Sequence, residues 1–410
     1  MEPDFSLPLY SPSHPSPSYS QDPAYDETRL DLSPRHGARP LPTGLYTKAC
    51  GSTTIVLFDQ ESNTQVPSYG KYGSVRGTLI LEQDTSQICE VMAKLEGRLE
   101  MTTTESGAQT TKVLKNTYCL WSSSSSSSVC PGTLEIACDF PATFQYQDCD
   151  YPLPPSYIAR FPGFPSLFAK CTYSLTITIT KDRRLSILSK TKLIYVPIEY
   201  NPQTIPARGI PQTPCFLSSI KTMPEEWHQS SFVMKSRSNS DLAPHTMPVK
   251  VFGLSDAIPL HLQLSAPLSS LRELVLPSSP SSPGGSDRGP VRVYLTRMVS
   301  FEYRGKSTWR VHRIGEGSFR PLPPVVDFDC DCRLGPACDS CNSSVVILDW
   351  DGEVKCDSSV TVGGFQAAGL TVKDFITIEI VPPKAGASLL LSIQHAIPIR
   401  LVTETFAAPT

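Results

Sequence analysis

The sequence lacks a strong imbalance of charge. It holds 36 lysine and arginine residues against 39 aspartate and glutamate residues, a formal net charge of -3, and no long run of one sign. Nucleic acids and acidic membrane surfaces attract proteins through large basic surfaces. The overall charge therefore argues against a nucleic-acid partner and favours another protein as the partner.

Long hydrophobic runs are also absent. No stretch approaches the roughly 18 apolar residues that a transmembrane helix needs, and Met1–Ser6 has neither the basic nor the apolar region of a secretory leader. We therefore expect a chain without a transmembrane segment that stays in the cytoplasm. The 13 cysteines are an odd number, which in the cytoplasm indicates reduced thiols rather than a disulfide framework.

Motifs of the common catalytic sites are missing as well. The sequence has no H-E-x-x-H, no G-x-S-x-G and no P-loop, and Gly315–Arg320 lacks the third glycine of a dinucleotide fingerprint. The histidines are scattered, and strand alternation places His261 on a polar side that should face solvent. We predict that the protein is not an enzyme and needs no catalytic cofactor. A β-sandwich hydrolase or a carbohydrate-binding protein is the alternative, which would show paired carboxylates or an aromatic platform.

Helical periodicity is nowhere sustained over more than about two turns, whereas short alternating runs recur along the chain. In Tyr173–Thr180 apolar side chains alternate with serine and threonine, the period of two expected for a strand with one buried face. Similar runs lie on both sides of a proline-punctuated hinge at 201–214. The sequence therefore predicts an all-β fold of two immunoglobulin-like β-sandwich domains.

Composition sets the domain limits. Residues 1–45 are rich in proline and serine, hold too few apolar residues for a core, and are predicted to form a disordered tail. We expect one sandwich over 46–200 and a second over 201–407. Two stretches of turn-forming residues, at about 221–248 and 277–290, are predicted to be loop insertions in the second sandwich.

Four motifs in the first half follow one another in a recognisable order: Gly73–Leu81, Leu95–Gly97, Leu153–Tyr157 and Tyr173–Leu175. They read Gly-Ser-Val-Arg-Gly-Thr-Leu-Ile-Leu, Leu-Glu-Gly, Leu-Pro-Pro-Ser-Tyr and Tyr-Ser-Leu. In this order and spacing the chain resembles the arrestin family, most closely the fungal arrestin-like proteins with N- and C-terminal arrestin domains. The resemblance spans 46–406 and is most specific in the first half.

The resemblance implies an arrestin fold, in which two β-sandwiches pack about a short hinge, and an adaptor role. Members of the family hold cytosolic segments of membrane transporters or receptors and recruit ubiquitin ligases or endocytic coats. A peripheral location at the plasma membrane or endosomes follows from that role. A retromer-type sorting scaffold of similar fold is the alternative among binding proteins. Both roles need binding surfaces, and an edge strand can pair with an extended segment of a partner.

The motif Pro154-Pro155-Ser156-Tyr157 matches the PPxY ligand that WW domains of ubiquitin ligases bind. The same residues occupy the structural corner of the arrestin family. Two interpretations follow: Pro154, Pro155 and Tyr157 contact a ligase, or they form a buried turn. We expect the turn, because a bound PPxY segment must be extended and accessible.

A second candidate partner site lies in Arg237–Leu242, which reads Arg-Ser-Asn-Ser-Asp-Leu. Arg237, Ser238 and a phosphorylated Ser240 partly match a ligand of 14-3-3 proteins, without the usual proline two residues on. The phosphate would bring close to two negative charges to an arginine cluster of such a partner. An inert surface loop is the alternative interpretation.

The densest chemical cluster of the sequence consists of Cys330, Cys332, Cys338 and Cys341. Four thiolates can close a tetrahedral structural zinc site, and the Gly335-Pro336 turn would bring the two pairs together at a hairpin tip. The C-x-C spacing of the first pair is less usual than C-x-x-C. Reduced loop thiols without a metal are the alternative.

A local basic patch surrounds a predicted hairpin and consists of Lys181, Arg183, Arg184, Lys190 and Lys192. Such a patch can bind a phosphorylated tail or an anionic lipid headgroup. A solvated hairpin face is the simpler interpretation. Receptor-type members of the family read phosphates with basic residues near the first strand, where this chain offers only Lys48.

Overall fold

The computed structural model describes residues 42–82, 84–124, 129–182, 190–210, 216–232, 245–248, 251–267, 271, 274, 289–322, 345–382 and 391–406. These residues belong to one compact unit that spans 41–407. No helix among them is long and apolar enough to cross a membrane. Of the predicted tail over 1–45, only the residues from 42 onward are described.

The strands of the first half form two main sheets and one small hairpin. Their bounds are β1 Gly44–Ala49, β2 Thr53–Gln60, β3 Ser68–Tyr69, β4 Ser74–Leu81, β5 Ile88–Thr103, β6 Gly107–Ser122, β7 Thr133–Asp139, β8 Thr143–Tyr146, β9 Cys149–Pro152, β10 Tyr157–Phe161, β11 Leu167–Lys181 and β12 Lys190–Tyr200. A four-stranded sheet has the order β1-β2-β4-β7. A six-stranded sheet has the order β3-β12-β11-β5-β6, with β10 paired to β11, and β8 pairs with β9.

Burial along these strands follows the alternation of the sequence. On β11 the side chains of Tyr173, Leu175 and Ile177 are buried, whereas those of Thr176 and Thr178 on the other face are half-buried. The buried faces of both sheets contribute to one hydrophobic cluster. The two sheets therefore pack face to face as a sandwich.

The second half forms one ten-stranded sheet after a short helical segment. Its elements are α1 Phe216–Thr222, a 3₁₀ turn Pro224–Glu226, β13 Trp227–Ser230, β14 His245–Pro248, β15 Val251–Gly253, β16 Ala257–Pro267, β17 Val291–Tyr303, β18 Lys306–Pro321, β19 Val345–Cys356, β20 Phe365–Ala367, β21 Leu370–Ile380 and β22 Ile393–Val402. The strand order is β13-β14-β16-β19-β18-β17-β21-β22-β15, with β20 paired to β21. Inward-facing side chains of this sheet form a second hydrophobic cluster.

The prediction of an all-β fold is confirmed, because strands dominate the described residues and the helix α1 has only seven residues. Within 221–248, where the sequence indicated only a loop, the structure has the strands β13 and β14. These strands pair with each other, and β14 pairs with β16, so that they extend the sheet. The predicted insertion at 277–290 lies outside the described residues up to 288.

The two halves pack directly against each other. The hydrophobic cluster of the first half includes Val299 and Phe301 of β17 and Leu370 and Val372 of β21. The segment that follows β12 is also tied to the end of β22, because the Thr204 amide donates a 2.8 Å hydrogen bond to Thr403 Oγ1. Side chains at this interface are therefore shielded from water by both halves.

Candidate functional site

The Leu153–Tyr157 corner is fixed by hydrogen bonds from two strands. The Tyr173 hydroxyl donates to the Pro154 carbonyl at 2.5 Å. The Ser156 amide donates to the Tyr200 carbonyl at 2.8 Å, and the Tyr200 amide donates to Ser156 Oγ at 2.9 Å. Pro154 and the neighbouring Pro155 are both buried. The corner is thus an integral part of the first sandwich, held as tyrosine corners are in other β-sandwiches.

The last residue of the corner, Tyr157, faces the second half of the chain. Its ring packs edge-on against Phe365 with a centroid distance of 5.2 Å. Burial raises the pKa of Tyr157 to about 12. A WW domain would need Pro154, Pro155 and Tyr157 in an extended, accessible segment, so contact with a ligase would require the corner to open. That contact stays a prediction, and the observed geometry is the one expected for the buried turn.

We expect Tyr173→Phe to lower the free energy of unfolding by about 1–2 kcal/mol, because it leaves the buried Pro154 carbonyl without its donor while the ring stays in place. Urea unfolding of both proteins measures the difference. The matched control is Tyr195→Phe, since the Tyr195 side chain is 56% exposed and its loss should change stability by less than about 0.5 kcal/mol. Equal effects of the two substitutions would contradict the role assigned to the Tyr173 hydroxyl.

A buried ion pair lies at the interface between the halves. Arg297 Nε donates to Asp374 Oδ1 at 2.7 Å and Arg297 Nη2 donates to Asp374 Oδ2 at 3.2 Å. The two side chains are only 4% and 0% exposed. Strand register places Arg297 opposite Asp374 on β21 and opposite His312 on β18. One row of polar side chains therefore crosses three strands at the interface.

His312 has an apolar neighbour on the first half. Its ring lies 5.2 Å from that of Phe161, measured between centroids, and its Nδ1 atom is buried without a hydrogen-bond partner among the described residues. Burial and the positive charge of Arg297 lower the pKa of His312. Protonation of His312, which would add a second positive charge to this row, is therefore disfavoured. Arg297 occupies both carboxylate oxygens of Asp374, so the ion pair holds β17 to β21 within the second half, and the contact of His312 with Phe161 reaches the first half.

The prediction that His261 faces solvent is wrong. The side chain is 3% exposed, with Nδ1 2.7 Å from Asp351 Oδ1 and Nε2 3.2 Å from Asp349 Oδ1. Gln263 Nε2 donates to the same Asp349 oxygen at 2.9 Å. The alternation rule fails here because both faces of β16 are buried from Ile258 to Leu262. His261 is a buried polar residue whose partners come from β19.

One side of the first sandwich is open between β1 and β12. β1 is the end strand of its sheet, and in the described structure β12 pairs with β3 only at Glu199 and Tyr200, which leaves most of its outer edge without a neighbouring strand. Lys48 Nζ on β1 donates to the Tyr195 carbonyl at 2.8 Å, and Lys192 Nζ on β12 donates to the Cys50 carbonyl at 2.6 Å. Lys48 therefore reaches the edge of β12, and Lys192 reaches the turn between β1 and β2, where it also donates to Thr53 Oγ1 at 2.9 Å. Charged side chains at an exposed edge discourage unwanted strand pairing.

Apolar side chains accompany these lysines. Leu193 and Tyr195 of β12 are 65% and 56% exposed, and Leu45 of β1 is exposed as well. At the far end lies a cavity of about 320 Å³ whose lining includes Lys181, Lys190 and Lys192. The two other members of the predicted basic patch, Arg183 and Arg184, lie outside the described residues. The described part of the patch thus joins the open side, which combines positive charge with apolar surface.

A second exposed surface forms where three loops from both halves meet. The Ser166 amide donates to Thr104 Oγ1 at 3.1 Å, Thr308 Oγ1 donates to Glu105 Oε2 at 3.2 Å, and Arg310 donates to the Pro165 carbonyl. At this end the ring of Phe164 is 84% exposed. We refer to the loops 104–106, 162–166 and 304–305 as the loop end of the molecule.

The remaining predicted site residues belong to two other segments of the chain. Arg237, Ser238 and Ser240 lie outside the described residues, as do the four cysteines of the predicted zinc site, Cys330, Cys332, Cys338 and Cys341. Phosphorylation, 14-3-3 binding and zinc binding therefore stay predictions. In the described part of the chain, no group of three or more His, Cys, Asp or Glu side chains is arranged to hold a metal ion.

Comparison with known proteins gives no match to a family model and no curated protein with a similar sequence. Among solved structures the chain is similar to squid arrestin, with 6% identity and a TM-score of 0.39 over 89% of this chain and 99% of that one. It is also similar to Spo0M, a sporulation control protein from Bacillus subtilis, with 8% identity and a TM-score of 0.19 over 64% of this chain and 89% of that one. Membership in the arrestin family stays a prediction from the sequence motifs.

Proposed function

We propose that the chain is a non-catalytic adaptor that binds an extended segment of another protein along the open side between β1 and β12. The observation that carries this proposal is the pair of strand edges that face each other there, where Lys48 of β1 reaches β12 and Lys192 of β12 reaches the turn after β1. A partner strand that adds to such an edge gains main-chain hydrogen bonds along its whole length. The lysines released from the Tyr195 and Cys50 carbonyls then become free to bind that partner.

The chemistry of the open side defines the segment it would accept. Lys48 and Lys192 favour acidic or phosphorylated side chains, and Leu193 and Tyr195 favour apolar ones. Successive side chains of an extended segment point to opposite faces, so one face can supply anionic groups and the other apolar groups. An alternating acidic and apolar segment is therefore the expected ligand.

We assign that segment to the cytosolic part of a membrane transporter or receptor, with the loop end as a separate surface for a ubiquitin ligase or an endocytic coat. The motif resemblance to the arrestin family supports this choice of partners, and the exposed Phe164 supports the second surface. Phosphorylation of Ser240 with binding of a 14-3-3 protein would regulate the adaptor. A zinc ion held by the four cysteines would be structural. We place this adaptor in the cytoplasm, at the plasma membrane or endosomes.

Proximity labelling in the native cell tests the proposal with a Lys48→Glu/Lys192→Glu variant. We expect the wild-type chain to label membrane transporters or receptors together with ubiquitin ligases. The variant should label the membrane proteins roughly tenfold less, because two charge-assisted hydrogen bonds are replaced by like-charge repulsion. The control is Lys355→Glu on β19, which removes an exposed lysine of the second half.

Several outcomes would count against the adaptor. A wild-type chain whose neighbours are only metabolic enzymes would favour the hydrolase or carbohydrate-binding alternative. Neighbours confined to sorting complexes, without a ligase, would favour the retromer-type scaffold. Equal labelling by the wild-type chain and the Lys48→Glu/Lys192→Glu variant would remove the open side as the binding site.

A further inference from the structure

A cleft of about 860 Å³ lies beside the Leu153–Tyr157 corner, away from the open side used above. One wall comes from the first half, from residues 150–155 and 200–202 and from Thr204. The other comes from the second half, from residues 361–366, 371–374 and 398–403. Ligand sites for small molecules typically measure about 300–1,000 Å³, with apolar walls and a few polar groups. The cleft has the size of such a site, and the proposed adaptor role makes no use of it.

The walls are unusually rich in proline. Five proline residues line the cleft, namely Pro152, Pro154, Pro155, Pro202 and Pro398. Proline has a fixed backbone dihedral angle and no main-chain N–H group, so these five residues are rigid and offer no main-chain hydrogen-bond donor. The Pro154 carbonyl is already engaged by the Tyr173 hydroxyl. An extended peptide needs both donors and acceptors for its main chain, whereas a hydrocarbon body needs neither. Apolar side chains such as Val362 and Phe365 complete the walls, which can therefore pack against a hydrocarbon.

The rim of the cleft carries positive charge. Lys71, Lys373 and Arg400 line it, are exposed, and form no ion pair or hydrogen bond with any described residue. The register that pairs Asp374 with Ile399 sets Lys373 opposite Arg400 on the neighbouring strand, where like charges repel. The lining contains two carboxylates. Asp374 is already paired with Arg297, so Asp150 is the carboxylate left to balance the cations of the rim. Lys71 Nζ lies 5.0 Å from the centroid of the Tyr72 ring, which leaves its charge uncompensated, so three cations without an ion pair against one carboxylate favour an anion.

We propose that this cleft binds a single-chain amphipathic anion, with its hydrocarbon body on the proline walls and its carboxylate head at Lys71, Lys373 and Arg400. Both halves of the chain contact such a ligand. Because it binds the folded state alone, it stabilises the packing of the halves, and the stabilisation grows with the logarithm of its concentration above the dissociation constant. A cellular fatty-acid anion would in this way regulate how firmly the halves are held together, whatever protein the chain binds elsewhere.

Titration calorimetry and thermal unfolding of the full chain with dodecanoate, below its micelle concentration, test the proposal. We expect saturable binding with one site per chain, a micromolar dissociation constant and a rise in the melting temperature. Dodecanol keeps the hydrocarbon body without the charge, and acetate keeps the charge without the body. Each should bind roughly tenfold more weakly or worse, because each lacks one of the two recognition elements.

Variants on the rim and at the mouth of the cleft locate the site. Lys373→Gln/Arg400→Gln should weaken dodecanoate binding roughly tenfold, and Thr361→Trp should weaken it by filling the mouth. The matched control, Lys355→Gln, removes an exposed lysine that is not part of the lining and should leave binding unchanged. All four substituted side chains are exposed, and circular dichroism verifies that each variant folds.

Four results would overturn the proposal. These are the absence of saturable dodecanoate binding, equal affinity for dodecanol, unchanged affinity of the Lys373→Gln/Arg400→Gln variant, and equal weakening by Lys355→Gln. Binding to anionic lipid vesicles without binding to free dodecanoate would also overturn it, because the ligand would then be a membrane surface.

Discussion

Arg297→Met is expected to lower the free energy of unfolding by about 3–5 kcal/mol, because the substitution leaves Asp374 as an unpaired charge in the buried interface between the halves. Both side chains are nearly inaccessible to water, so solvent cannot replace the lost guanidinium. Asp374→Asn should be destabilising for the converse reason, since it leaves the guanidinium without its counter-charge. Urea unfolding with linear extrapolation measures both changes.

The double variant Arg297→Met/Asp374→Leu separates two contributions to the free energy of unfolding: that of the ion pair itself and that of leaving one buried charge unpaired. Apolar replacement of both partners of a buried pair is often neutral, so we expect it to recover most of the lost stability. The control is Arg76→Met, which breaks an exposed pair with Asp59 and should cost less than about 1 kcal/mol. A double variant as unstable as the sum of its single substitutions would contradict this account of the pair.

The sequence predicts the strands well and the polar interface poorly. A strand can be recognised from local sequence alone, because the alternation of Tyr173–Thr180 is visible within eight consecutive residues. Arg297 and Asp374 lie 77 residues apart, and only the register of β17 against β21 brings them together. Nothing in either local sequence specifies that register. The same limit applies to the open side, where Lys48 and Tyr195 are 147 residues apart.

Two local errors have local causes. His261 follows the alternation of its strand, yet neighbours cover both faces of β16 at that point, and alternation predicts exposure only when one face is wet. The strands β13 and β14 have four residues each, too few to show a period of two among turn-forming residues. Sequence patterns therefore identify long strands with one wet face more readily than short or doubly covered ones.

The corner at Leu153–Tyr157 shows how structure separates two interpretations that share one motif. Pro-Pro-Ser-Tyr is compatible with a ligase ligand and with a turn, since the fixed backbone dihedral angle φ of proline favours both conformations. The burial of Pro154 and Pro155 and the hydrogen bond from Tyr173 describe the turn. The corner then acquires a further role, because its outer surface forms a wall of the cleft between the halves.

Gly97→Ala is expected to lower the free energy of unfolding by about 3 kcal/mol, of which overpacking contributes about 2 and loss of the corner hydrogen bond about 1. Gly97 lies opposite Tyr173 in the β5–β11 register, and the aromatic ring covers it. A Cβ atom at residue 97 would lie 2.5 Å from Tyr173 Cε1 and 2.9 Å from Val113 Cγ2. The ring is buried on all sides, so it can only yield by moving its hydroxyl away from the Pro154 carbonyl.

Replacement of Tyr173 by a smaller residue tests whether its ring is what excludes a side chain at residue 97. In Gly97→Ala/Tyr173→Leu the new methyl group no longer meets a ring, so the combined loss should be smaller than the sum of the single losses by about 1 kcal/mol or more. Urea unfolding of the four proteins gives this interaction energy. Gly132→Ala serves as the control, since its Cβ atom would lie no closer than 3.6 Å to its nearest neighbour, the Leu81 carbonyl oxygen. Additive losses would show that the requirement for glycine at residue 97 arises from something other than the Tyr173 ring, and the motif Leu-Glu-Gly would then need a different physical reason.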